Sequence, residues 1–117
     1  MLTQILEDLI SSVNGAQAVI FLDGDGEAIA QAGDAAVDMK LLGAWKEIQL
    51  DRIKDIAVRL NLGNVQAVLF SLDEGTELVV PVAEEYCLML FLSAYADLQA
   101  AREKLKTTIE LLKKDIE

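Results

Sequence analysis

Two turn signals constrain this chain more than any other feature. Asp23-Gly24-Asp25-Gly26 and Asp73-Glu74-Gly75 each stand between two short, mostly apolar runs. Asp-Gly steps tolerate the positive φ that tight hairpin turns require. So short a loop joins antiparallel strands, because a parallel pair needs a crossover of about a dozen residues or more. The strands flanking these turns are therefore expected to form an antiparallel sheet.

Around the turns the apolar spacing changes period. Leu2, Ile5, Leu6, Leu9, Ile10 and Val13 recur at helical spacing, with Glu7, Asp8, Ser11 and Ser12 off the stripe. This predicts an amphipathic helix that Asn14-Gly15 ends. Residues 18–22 are apolar on both faces, as a central strand is. Residues 27–32 return as its hairpin partner. Asp38 is the predicted N-cap of a long helix running to about residues 61–63. Residues 65–72 and 77–82 form the second hairpin, with Pro81 at a strand end or bulge because it cannot donate to a ladder. Residues 86–93 are apolar throughout and predicted to be central. A last helix, from about residue 96 to 116, carries Leu98, Leu105, Ile109, Leu112 and Ile116, with Lys113 and Lys114 near its negative terminus. The order α-β-β-α-β-β-β-α predicts an α+β fold, helices against an antiparallel sheet, in a single domain over residues 1–117.

Charge removes several classes of function. The net charge is −10, acidic residues outnumber basic ones 20 to 10, and the longest basic cluster is the pair Lys113–Lys114. Nucleic acid and anionic membranes are both held by basic patches, so neither is an expected partner. The longest apolar run, residues 87–92, is far too short to span a bilayer. One cysteine allows no intrachain disulfide, and residues 1–13 are amphipathic rather than a secretory signal, so a cytoplasmic setting is expected. Hydrophobic residues reach 53%. That surplus either completes the core or is covered by a second chain.

The inventory of reactive side chains is short. There is no histidine, which removes the commonest general base and metal ligand. Cys87 lies in an apolar strand, where a buried, inert thiol is expected. An EF-hand loop starting at Asp23 would need Gly at its sixth position and Glu at its twelfth, but Ala28 and Asp34 stand there. No phosphate-binding Gly-rich loop ending in Lys-Ser or Lys-Thr is present. The acidic pairs Asp73–Glu74 and Glu84–Glu85 read as solvated turns. No catalytic residue, cofactor or metal is expected, and the chain reads as a non-enzyme.

One constellation stands out. On the middle helix Leu41, Trp45, Ile48, Arg52 and Arg59 fall within one narrow stripe at about 100° per residue. A second stripe holds Leu42, Ile53, Ile56 and Leu60, and one stripe suffices to pack on a sheet. Trp, Ile and Arg together have the composition of an interface hot spot. They equally fit a broad core face with arginines snorkelling at its edge. Lys40, Lys46, Glu47, Asp51 and Lys54 would form a polar rim. The strand 65–72 has no charge, Pro or Gly, so as an open edge it would invite aggregation. It is expected to be paired on both sides, by a second chain if it lies at the sheet edge. The interface residues so assigned are Leu41, Trp45, Ile48, Arg52, Arg59, Val68 and Phe70.

Over nearly its whole length the chain resembles the Roadblock/LC7 family. The resemblance is carried by Gly15-Ala16-Gln17-Ala18-Val19-Ile20-Phe21-Leu22-Asp23 with its turn, by the long helix, by residues 65–70 and 78–82, and by the apolar strand leading into Ala94-Tyr95-Ala96-Asp97-Leu98 and Arg102. Asp97-Leu98-Gln99 departs from the Asn-Leu-Gly that many members carry there. The resemblance implies a five-stranded sheet with the long helix on one face and the terminal helices on the other. It also implies homodimers joined through the third strand and middle helix, and a role as regulator, activator or scaffold of a Ras-like small GTPase in signalling. A small-ligand sensor and a dynein-light-chain-like adaptor are the alternatives. A neighbouring gene for a Ras-like GTPase would separate these readings.

Overall fold

The computed structural model describes residues 1–34 and 39–116, without the side chains of residues 39–47. The described elements are α1 (Leu2–Ser12), β1 (Ala16–Leu22), β2 (Ala28–Gly33), α2 (Met39–Arg59), β3 (Val68–Leu72), β4 (Gly75–Val82), β5 (Tyr86–Ser93) and α3 (Leu98–Ile116). Every described strand pairing is antiparallel, and the sheet order is β2-β1-β5-β4-β3. The α+β reading and its element order hold. The two segments read as central, β1 and β5, are both flanked by strands.

Local chemistry explains the boundaries. Gly15 adopts φ +91°, and its carbonyl accepts a hydrogen bond from Ser93 N at 2.8 Å. A Cβ there would lie 2.7 Å from that of Ala96, so only glycine lets the α1 exit pack against the end of β5. At the first hairpin the Asp23 carboxylate accepts from Asp25 N at 2.9 Å and Glu27 N at 3.0 Å. Glu27 is thereby held in the turn, and β2 begins one residue later than the pattern predicts. The predicted N-cap Asp38 lies outside the described residues. At its other end α2 closes in a Schellman motif. Asn61 sits at φ 56°, Asn61 N donates to Val58 O, and Leu62 N donates to Ala57 O. Helix α3 starts two residues later than predicted, because Asp97 caps it by accepting from Gln99 N (3.0 Å) and Ala100 N (3.1 Å).

Strand β3 is shorter than the uncharged run 65–72 and is paired on one side, by β4. Its register runs from Leu72↔Gly75 to Val68↔Val79. Continued, it would set Gln66 opposite Pro81, which has no N–H to offer. Pro81 itself is the penultimate residue of β4, past the point where β3 ends. The expectation of a strand flanked on both sides is therefore not met within one chain. The sheet order puts β3 at the edge.

Side chains alternate between two cores. Leu6, Leu9 and Val13 from the end of α1, with Ala101, Leu105 and Leu112 of α3, cover Val19, Phe21, Leu78, Val80, Leu88, Leu90 and Leu92. Lys104 Nζ and the Asp8 carboxylate, 2.7 Å apart, tie the two terminal helices together. On the opposite face Ala18, Ile20, Leu22, Val79, Cys87, Met89 and Phe91 meet Leu50 of α2. The long helix and the terminal helices thus lie on opposite faces, as the resemblance implies. No described helix is long and apolar enough to cross a membrane.

Candidate partner interface

Leu50 is the α2 side chain, among those described, that is buried on the sheet, with 1% of its surface exposed. At about 100° per residue, Ile48, Arg52 and Arg59 project within about 20° of the direction opposite Leu50. All three are exposed, Ile48 by 51%. This part of the stripe faces away from the sheet, so the core-face reading fails for these residues. Leu41 and Trp45 belong to the same stripe by spacing, but their side chains lie outside the described residues. Arg59 Nε is 3.1 Å from an Asp55 carboxylate oxygen one turn earlier, an exposed pair.

The second stripe is corrected as well. Ile53 is half-buried, but Ile56 and Leu60 are each more than half exposed and do not pack on the sheet. Leu42 lies outside the described side chains. Val58 and Leu62, outside both stripes, are also more than half exposed. The sheet contact falls on Leu50 because α2 approaches the sheet over β1 and β2, an orientation that no spacing within the helix encodes. Of the expected polar rim, Asp51 is exposed and Lys54 half-buried. Lys40, Lys46 and Glu47 lie outside the described side chains.

Strand β3 adds the second part of the surface. Val68 and Phe70 are half-buried against the cluster that contains Leu50, so they point to the α2 side of the sheet. Leu72 shares their parity and is 56% exposed. The outer edge of β3 carries backbone groups with no described strand beside them. A helix surface that mixes exposed aliphatic side chains with Arg52 and Arg59, and an uncharged edge strand, thus occur on one side of the sheet. Such a surface binds by burying apolar area and extending the ladder.

The remaining sites carry less. Asp23, Asp25, Asp51, Glu84 and Glu85 line an open cleft of about 540 Å³ beside the first hairpin turn. Among the described residues, no cluster of His, Cys, Asp or Glu could hold a metal ion. Cys87 is buried in β5, where the strand pattern places it.

No family model matches the sequence, and no curated protein matches it. Solved structures do match in three dimensions. Myxococcus xanthus MglB superposes with a TM-score of 0.91 at 16% identity, covering 98% of this chain and 94% of that one. A Roadblock/LC7 domain from Streptomyces avermitilis gives a TM-score of 0.90 at 16% identity, covering 97% and 96%. A structure of MglB with a tetrameric arrangement gives 0.88 at 17% identity, covering 97% and 85%. With α1 through α3 superposing at this level despite so little shared sequence, the chain has the fold of the Roadblock/LC7 domains.

Proposed function

We propose that this chain is a homodimeric regulator or scaffold of a Ras-like small GTPase, using the α2 side of the sheet. The observation that carries the reading is a pair of features on one side of the sheet: the outward face of α2, where Ile48 and Ile56 are exposed among Arg52 and Arg59, and the uncharged edge strand β3. A chain with net charge −10 repels its own copies over most of its surface. Self-association is favoured where charge is absent, and Val68-Leu69-Phe70-Ser71-Leu72 contains none. A two-fold pairing of this strand with its own copy extends the ladder across two chains and sets both α2 helices on the same side of the joined sheet. The tetrameric arrangement of an MglB structure supports self-association in this fold. The GTPase partner comes from the family resemblance together with the likeness of fold.

The reading assigns the chain a positioning role. An arginine supplied in trans accelerates hydrolysis when it reaches the transferred phosphoryl group. Arg59 is engaged with Asp55, and Arg52 stands on a regular helix rather than a loop. A dimer that holds the GTPase's own switch segments in their productive arrangement needs neither arginine, because it shifts a population that already exists.

Light scattering after gel filtration tests the first half, with twice the chain mass expected. A hydrolysis assay and a binding titration with a Ras-like GTPase from the same genome, in both nucleotide states, test the second. The expected result is binding, with any acceleration retained in Arg52→Ala and Arg59→Ala. Absence of binding in both states overturns the reading.

A further inference from the structure

The opposite side of β3 carries a second surface. Leu69 alternates with Val68 and Phe70, so it points to the α1/α3 face, where it is 48% exposed. There it walls a groove of about 470 Å³ between the β3–β4 hairpin and α3. Leu78, Val80 and Leu105 form an apolar floor, and the half-buried Ile109 forms the far wall. Arg102 and Lys106, one turn apart on α3, stand on the rim.

The charge of this groove runs against the charge of the chain. Carboxylates outnumber cations 20 to 10; acidic side chains line the cleft at Asp23 and the hollow beside Glu74, and the hollow that holds Lys54 and Lys113 also holds Glu84. Among the described residues no carboxylate lines the groove between β3–β4 and α3. On the same helix Lys104 is paired with Asp8 at 2.7 Å. Arg102 and Lys106 are exposed, and neither has a carboxylate within ion-pair distance among the described residues. Like charges one turn apart on a helix repel, which an anionic occupant would relieve.

The geometry points to a docking groove for a short acidic-apolar segment of a partner protein, its apolar side chains over Leu105 and Ile109 and its Asp or Glu side chains on Arg102 and Lys106. The groove lies across the sheet from α2, so this partner is distinct from whatever the α2 side holds, and the two bind together. The inference stands without the GTPase reading. A protein that regulates at one face and docks a second protein at the other is an adaptor.

The full chain is panned against a random peptide-display library, and an enriched peptide is synthesised with a fluorescent label. Enriched sequences are expected to set Leu, Ile or Phe beside Asp or Glu. The Arg102→Glu/Lys106→Glu double variant should bind the peptide at least about tenfold more weakly, since charge-assisted contacts are lost and repulsion added. Arg102→Lys should retain most of the affinity, and so should Ile48→Asp on the other face. In the unmodified chain the peptide should shift the amide resonances of Leu69, Leu105 and Ile109. This mapping decides the matter even if the double variant folds poorly. Four outcomes overturn the inference: no enrichment, enriched peptides without acidic residues, shifts confined to α2, or a change in the chain's own mass on charge reversal. The last would mean that a second copy fills the groove.

Discussion

On one face of the sheet, Leu6, Leu9, Ala101, Leu105 and Leu112 of α1 and α3 are at most 4% exposed. On the other face, α2 buries Leu50 and leaves Ile48, Ile56 and Val58 more than half exposed. Full burial of an aliphatic side chain of Leu size stabilises by about 1.5–3 kcal/mol. The terminal helices therefore collect several such contributions within one chain, while the described part of α2 collects one and holds the rest in reserve. The first face is closed within the chain, and the second leaves apolar side chains in solvent. Apolar content by itself does not tell the two faces apart, because both helix sets carry amphipathic stripes.

That division can be broken experimentally. The largest effect is expected on the folding face. Leu9→Ala removes a fully buried side chain between α1 and the sheet. It should lower unfolding free energy by about 2–5 kcal/mol in denaturant titration. A loss below about 1 kcal/mol would show that α1 is not part of the folding core. Next, Leu72→Lys places a charge on the open edge of β3, a device that blocks edge pairing. Because the change appears twice in a two-fold dimer, self-association should weaken by at least about tenfold in analytical ultracentrifugation. An unchanged dimer would move the self-interface away from β3. Ile48→Ala sharpens the contrast: partner or self affinity should fall by about 1 kcal/mol or more. The monomer's unfolding should stay within about 0.5 kcal/mol, because the side chain points outward. Asp97→Ala removes the cap of α3 and should cost about 1 kcal/mol of folding stability without touching association. The smallest effect is Arg59→Ala. Its exposed pair with Asp55 is screened by solvent, so less than about 0.5 kcal/mol of stability is expected to be lost.

What the sequence by itself determined is local. Short-range periodicity and turn chemistry set the element order, the antiparallel hairpins and most boundaries to within a few residues. Where they slipped, as at Glu27 and the start of α3, a single carboxylate decided: Asp23 held Glu27 in the turn, and Asp97 placed the cap. The buried placement of Cys87 and the common face of Ile48, Arg52 and Arg59 were also legible, because strand and helix periods alone fix which residues share a face, though not which way that face points. Only the tertiary structure decided that β3 is an edge, that Leu50 rather than either stripe meets the sheet, and that Leu69 opens onto a groove rimmed by Arg102 and Lys106. The physical reason is distance along the chain. The 34 residues between Gly33 and Val68 leave the place of β3 in the sheet open, since closing so long a connection costs little more entropy one way than another. Burial at Leu50 or Leu69 depends on which element lies opposite, and no window of local sequence contains that information.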